Sequence, residues 1–220
     1  MLIAGADDAG RGPIIGPLVI AGVLVEETEI SRLKQLGVKD SKLLSPRRRE
    51  QLAISIKELA LKYCVESLSP REIDKVVETG GRLRRLNRLE AHTMAKVIER
   101  LRPDIAYVDA SDVLADRFKE HIAERLAFEV KIISEHKADF NYPVVSAASI
   151  IAKVERDRAI QELSEKYGEL GSGYVTDPET IAFLKRWLAT HDSYPWFVRK
   201  SWKPAKALRN RLDVRQTRLE

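Results

Sequence analysis

The chain has 220 residues, 44% of them hydrophobic and 32% charged, enough apolar mass for one buried core with an appendage. Its 38 Lys and Arg against 33 Asp and Glu leave a formal charge of +5, suited to a polyanionic partner, and the single Cys64 excludes an intramolecular disulfide or a Cys-rich zinc site. No stretch approaches the roughly 20 apolar residues that cross a bilayer. The opening Met1-Leu2-Ile3-Ala4 meets Asp7 and Asp8 without a basic prelude, unlike a secretory signal, and with one cysteine the chain reads as cytoplasmic; a monomer is expected.

Leu2 to Ala6 and Ile14 to Val25 read as two buried strands, joined by a turn punctuated with Gly and Pro. Leu43 to Leu61 reads as a helix, with Ser45 as N-cap, Pro46 in the first turn, and Leu52, Ile56 and Leu59 at helical spacing. Tyr63 to Leu68 is a third strand. Leu89 to Leu101 is an amphipathic helix closed by Pro103, after which Ile105 to Val108 forms a central strand ending at Asp109. A helix over 116–126, a strand over 128–133 and a long helix from Pro143 to about Tyr167 follow. Beyond the turn at Gly171 to Gly173, helices over 178–189 and 205–212 are rich in basic residues. Strands followed by helices point to one α/β sheet domain over residues 1–170, with a helical appendage over 171–220.

The acids that carry chemistry stand at the edges of these elements. Asp7 and Asp8 sit where the first strand ends, Asp109 ends another, and Asp139 precedes the long helix. Strand ends and adjoining loops in an α/β sheet bring distant residues to one place, so these four can share a site. Carboxylates crowded together repel one another unless cations sit among them, and hard oxygen donors without a Cys or His cluster favour magnesium or manganese over zinc. Two such ions about 3.5–4 Å apart can activate a water and stabilise the leaving oxygen of a phosphodiester. Each acid also has a plain reading as a solvated turn residue, least natural for Asp7, which follows an apolar strand and precedes Gly10-Arg11-Gly12.

The glycines at 10, 12 and 16 invite a dinucleotide-binding reading. However, the residues after them run Pro13-Ile14-Ile15 and Pro17-Leu18-Val19-Ile20, a strand where that fingerprint needs a helix N-terminus. The glycines instead allow a ligand close to the backbone, with Arg11 beside it.

Gly5-Ala6-Asp7-Asp8-Ala9-Gly10-Arg11-Gly12-Pro13 resembles the N-terminal signature of type 2 ribonucleases H. Val38-Lys39-Asp40-Ser41-Lys42, Tyr107-Val108-Asp109, Glu135 to Asp139, Pro143 to Lys153 and Gly171 to Tyr174 resemble further blocks of that family, its archaeal members above all. The resemblance implies a ribonuclease H-like mixed five-stranded sheet flanked by helices, with a C-terminal helical region that clasps the substrate. It implies an endonuclease that cuts the RNA strand of RNA/DNA hybrids, including ribonucleotides embedded in DNA, by two-metal catalysis with Mg2+ or Mn2+, leaving 5′-phosphate and 3′-hydroxyl ends. The four metal-binding acids map onto Asp7, Asp8, Asp109 and Asp139. Gly10, Arg11 and Gly12 match the segment that senses the ribose 2′-hydroxyl, the group that tells RNA from DNA, and Tyr174 matches the junction-recognising tyrosine. Asp8 departs from the family, which usually carries Glu there, and its carboxylate is drawn back by roughly 1.5 Å.

Among the basic residues, Lys39, Lys42, Arg47 and Arg48, with Ser41, lie in or beside the match to the substrate-facing loop, where phosphate contact is natural. Arg82, Arg84, Arg85 and Arg88 read as a solvated helix face. Lys153 either meets phosphate or pairs with Asp157 one turn on, and His136 is either structural or a support behind the metal-binding acids, since one histidine beside Asp139 does not make a zinc site. Gln216-Thr217-Arg218-Leu219-Glu220 resembles the start of a sliding-clamp-binding peptide. Two rivals stand beside the nuclease: a silent hybrid-binding module, in which Asp8 has spoiled the metal centre, and an unrelated phosphotransferase, for which the usual glycine-lysine phosphate loop is missing.

Overall fold

A computed structural model describes residues 1–38, 44–79 and 82–216. The five strands are β1 (Leu2–Ala9), β2 (Leu18–Glu26), β3 (Lys62–Leu68), β4 (Ile105–Asp109) and β5 (Lys131–Glu135), in the sheet order β3-β2-β1-β4-β5. β1 runs antiparallel to β2 and parallel to β4, and β4 parallel to β5, so the sheet is mixed. The helices among the described residues are α1 (Ile30–Leu36), α2 (Pro46–Leu59), α3 (Pro70–Glu78), α4 (Arg82–Leu101), α5 (Ala115–Ala123), α6 (Ala138–Asn141), α7 (Pro143–Tyr167), α8 (Pro178–Leu188) and α9 (Lys203–Gln216). None is long and apolar enough to cross a membrane.

Contacts divide the chain into two compact units. The first holds Met1–Ala9, Val19–Ser67 and Leu83–Glu155; the second holds Gly10–Leu18, Leu68–Arg82 and Arg156–Glu220. The first unit contains the sheet, with a core of Val19, Val23, Leu52, Ile56, Val145, Ala148 and their neighbours. Val, Ile and Ala dominate because β1 and β2 are buried along nearly their whole length. Gly5 admits α7 to this core: a Cβ there would stand 2.3 Å from the backbone of Val144. The second unit packs Ile14, Ile15, Leu170, Phe183, Leu184 and Phe197 into a core of its own.

Several boundaries differ from the periodicity reading. The run from Ile14 to Val25 is two things: β2 starts at Leu18, whereas Ile14 and Ile15 belong to the second core, where Ile15 bridges Val198. An apolar run records burial and cannot say in which core. β5 begins at Lys131, later than the apolar signal at Phe128. α3 lay unread in the sequence although Ser69 and Glu72 form a capping box around Pro70, the Ser69 side chain accepting from the Glu72 amide at 3.3 Å. The Ser45 cap of α2 is present, accepting from the Arg48 amide at 3.3 Å.

Candidate active site

The acids of the first unit are placed by strand register. Ala6 pairs with Val108 in the parallel ladder, so Asp7 and Asp109 take the next step of neighbouring strands and point to one face of the sheet. Asp109 in turn pairs with Glu135 of β5, which adds a third carboxylate to the row. Gly5 lies on the same face as Asp7, and the close approach of α7 that it permits brings Ser149 to Asp7. Ser149 hydrogen-bonds the Asp7 carboxylate and itself accepts from Lys153 Nζ at 2.5 Å. Lys153 thus stands one helical turn beyond a serine that orients Asp7, and Arg156 engages Asp157 at 3.3 Å.

Asp7 is 4% exposed. Burial first, then repulsion from Asp8 and from Asp109, holds its carboxyl well above the ordinary aspartate range, against the opposing pull of Ser149 and Lys153. Burial and crowded like charge thus outweigh the Lys153 cation. Asp8 is half-buried; its amide donates to Asp7 Oδ1 at 2.7 Å, and its Oδ1 accepts from Ser111 Oγ at 2.8 Å. Ser111 is held by the residue after it: buried Asp112 accepts from Arg117 Nε and from the Leu114 amide, both at 3.0 Å. Burial alone would raise the Asp112 carboxyl, but the hydrogen bonds of Arg117, Leu114 and Asn87 prevail and hold it far below the ordinary range.

Asp109 accepts from the Ala138 amide at 2.8 Å, which sets the start of α6, and with it Asp139, beside Asp109. Asp139 is therefore inside a short helix before α7, and its carbonyl accepts from Ser146. Tyr142 donates to Glu135 Oε1 at 2.9 Å and packs on Tyr107, ring centroids 4.3 Å apart, closing the row on the β5 side. Among the described residues, no three His, Cys, Asp or Glu side chains already surround one point as metal ligands would. The donor set nonetheless suits a hard divalent cation, because a buried carboxylate raised by two like charges is what such an ion relieves.

The second unit holds Gly10, Arg11, Gly12 and Tyr174 together. A Cβ on Gly12 would lie 3.6 Å from the Tyr174 ring, and Gly10 takes φ +88°. The amides of Ile14 and Ile15 donate to the Gly173 carbonyl at 2.9 and 3.2 Å, tying the glycine loop to the turn that carries Tyr174. That turn is fixed by α8, since Asp177 accepts from the Ser172 amide at 2.6 Å and Thr180 from the Gly173 amide at 3.0 Å. Tyr174 is 40% exposed, with the Arg156 guanidinium 5.3 Å from its ring centre.

Arg47 is exposed in the first turn of α2, whereas Lys39, Ser41 and Lys42 lie outside the described residues, as do residues 217–220. Arg84, Arg85 and Arg88 are exposed on α4, as a solvated face requires, and Arg88 pairs with Glu124 at 3.3 Å. His136 is exposed and meets the Val113 carbonyl at 3.2 Å. Ser111, Ser149 and the Glu135–Tyr142 pair were missed in the sequence; only the fixed spacing of Ser149 and Lys153 on one helix face could have flagged any of them.

A mixed five-stranded sheet with acids at matching steps of its central parallel strands, flanked by helices, is a ribonuclease H fold. The chain belongs to the ribonuclease HII family, whose model, Ribonuclease HII, matches residues 4–205. It is 46% identical over 222 residues to the ribonuclease HII of Pyrococcus abyssi, a match covering 100% of this chain and 96% of that protein. The crystal structure of ribonuclease H2 from Pyrococcus horikoshii superimposes with a TM-score of 0.88 at 44% identity, covering 96% of this chain and 98% of that one. The ribonuclease HII in a structure of the PCNA:RNase HII complex from Archaeoglobus fulgidus does so with a TM-score of 0.81 at 44% identity, covering 92% and 96%. Members of the family cleave RNA in RNA/DNA hybrids, and this protein is a ribonuclease.

Proposed function

We propose that the protein is an endonuclease that hydrolyses the RNA strand of RNA/DNA hybrids and cuts at ribonucleotides embedded in DNA, with Asp7, Asp8, Asp109 and Asp139 as its metal-binding acids. The observation that carries this is the buried Asp7 carboxyl, raised by its own desolvation and by Asp8 and Asp109. Bound Mg2+ or Mn2+ ions would supply activation of a water and neutralisation of charge on the leaving oxygen. The chain's own part is placement. Asp7 and Asp109 are the central ligands, on one face of adjacent strands; Asp8, anchored by Ser111, and Asp139, set by the amide on Asp109, complete the pair of sites. Ser149 holds Asp7 in its rotamer, and Lys153 lends positive charge that also suits a substrate phosphate.

Gly10, Arg11 and Gly12 read the ribose 2′-hydroxyl through backbone brought close by the glycines, and Tyr174 packs against a neighbouring sugar. Lys39, Ser41, Lys42 and Arg47 contact phosphates of the hybrid, and residues 171–220 act as the region that clasps it. Water is the nucleophile, no covalent enzyme intermediate forms, and the products are 5′-phosphate and 3′-hydroxyl ends. Labelled DNA carrying one ribonucleotide tests this directly: cleavage requires Mg2+ or Mn2+, stops with chelator, and is lost in Asp7→Asn while binding persists. Salt-sensitive association with no cleavage in any metal would instead make the chain a binding module.

The Archaeoglobus protein was captured with PCNA, and Gln216 to Glu220 resembles the start of a clamp-binding peptide. Sliding-clamp binding through this tail is part of the proposal. Deleting residues 213–220 should abolish it; unchanged clamp affinity disposes of it.

A further inference from the structure

Arg199 is fully buried, and its guanidinium is spent on one short stretch of backbone. Nη2 donates to the Gly10 carbonyl at 2.5 Å and to the Gly16 carbonyl at 3.0 Å, Nη1 to the Arg11 carbonyl at 2.8 Å, and Nε to Gly16 again at 3.2 Å. The third carbonyl of the loop, that of Gly12, accepts from the indole N–H of Trp202 at 3.2 Å. The Arg199 guanidinium lies 5.2 Å from the centre of the Trp202 ring, so the two donors also brace each other.

Both donors are positioned in turn. The Arg199 amide donates to the Ile14 carbonyl at 2.9 Å, and the Gly16 amide to the Phe197 carbonyl at 2.9 Å, which fastens residues 14–16 to 197–199. Buried Asp74 of α3 accepts from the amides of Lys200 at 2.9 Å and Ser201 at 3.0 Å and from the Ser201 hydroxyl at 2.5 Å. The chain from 199 to 202 is thereby locked between α3 and the glycine loop.

Peptide geometry gives this frame its meaning. In a trans peptide the C=O and the following N–H point in opposite directions. Carbonyls of Gly10 and Arg11 that are aimed at the buried guanidinium force the amides of Arg11 and Gly12 to point away from it. The amide after Gly12 does not exist, because residue 13 is proline. A cation on the carbonyl side also polarises each peptide and strengthens its N–H as a donor.

We infer that Arg199 and Trp202, locked in place by Asp74, are positioning residues that aim the Arg11 and Gly12 amides and so set the preference for ribose over deoxyribose. The inference rests on the proposed reading of the Gly10–Gly12 loop. It needs arginine, since lysine offers one point of charge and no planar fork to span three carbonyls.

Anisotropy titrations in chelator of two duplexes, identical except for a single ribonucleotide, give the ratio of Kd values that the loop controls. Trp202→Phe keeps an aromatic face and removes the N–H donor, and the ratio falls about threefold to tenfold, what one hydrogen bond is worth. Arg199→Lys removes the fork, and the ratio falls by more than tenfold, while affinity for the all-DNA duplex and the melting temperature of Trp202→Phe stay near wild type. An unchanged ratio in a folded variant overturns the inference, as does a parallel loss of affinity for both duplexes, the mark of a merely structural role. Should Arg199→Lys fail to fold, Trp202→Phe decides alone. A wild type that binds both duplexes equally refutes the ribose reading itself, and the frame falls with it.

Discussion

The two units build their functional surfaces from opposite materials. In the first, side chains are the instrument: Asp7, Asp109 and Glu135 stand in a row because parallel strands in register repeat the same face, and the backbone serves only to line them up. In the second, on the proposed reading, the backbone is the instrument: buried Arg199 and half-buried Trp202 hold the Gly10–Gly12 carbonyls and so turn the peptides. The first arrangement acts through its side chains directly; the second, on the proposed reading, depends on supports that never touch what is read.

The sharpest way to break the comparison is Asp7→Asn. Cleavage should fall by at least about a thousandfold, because the central ligand is lost with its charge, while hybrid binding persists in a titration of the same variant. The substitution also has a stability consequence of definite sign. The folded pKa of Asp7 is raised above its unfolded value, so between the two values the fold holds more protons than the unfolded chain, and stability falls as pH rises through that window. In chelator at pH 8 Asp7→Asn should therefore melt above wild type, an advantage that shrinks as the pH falls through that window and is gone below the ordinary aspartate range. Equal melting at pH 8 would show that the carboxyls are not crowded.

Gly5→Ala comes next. Its Cβ would meet the Val144 backbone at 2.3 Å, and helix α7 would have to withdraw, taking Ser149 from Asp7. A loss of about 3 kcal/mol is expected from such overpacking, read by urea unfolding, together with weaker metal-dependent cleavage. Gly10→Ala tests the other unit: at φ +88° and with Pro17's carbonyl 2.7 Å from the new Cβ, it should cost about 1–3 kcal/mol of strain. Its effect on cleavage at a single ribonucleotide should exceed its effect on binding plain duplex DNA. The smallest change is expected from Asp8→Glu, which restores the family's usual residue. Because Asp8 is already anchored by Ser111, kcat should shift by less than about tenfold, a change near 1.4 kcal/mol at most; a larger gain would mean that aspartate misplaces the charge.

Much of this was legible before any coordinates. The apolar runs ending in acids marked β1 and β4, Pro103 and Pro143 marked helix boundaries, and Ser45 with Pro46 marked the start of α2. These are local signals, set by backbone sterics and capping, and they survive in any fold. What failed was also physical. Ile14 and Ile15 read as a continuation of β2 because apolar character says only that a residue is buried, whereas the structure places them in a second core. Glu135 stood only as the first residue of a family-like block, with no role, until strand register set it beside Asp109.

By itself the sequence determined that acids of one chemical kind follow apolar strands, that a glycine-rich segment comes directly after the first of them, and that the chain resembles type 2 ribonucleases H. Only the tertiary structure decided that Asp7 is buried among like charges, that Ser111 and Ser149 steady its neighbourhood, and that Arg199, 183 residues beyond Gly16, holds the glycine loop. The reason is that capping and hydrophobic period act within a few residues, whereas electrostatic crowding and carbonyl capture depend on distances that exist only after the strands have paired and the helices have packed.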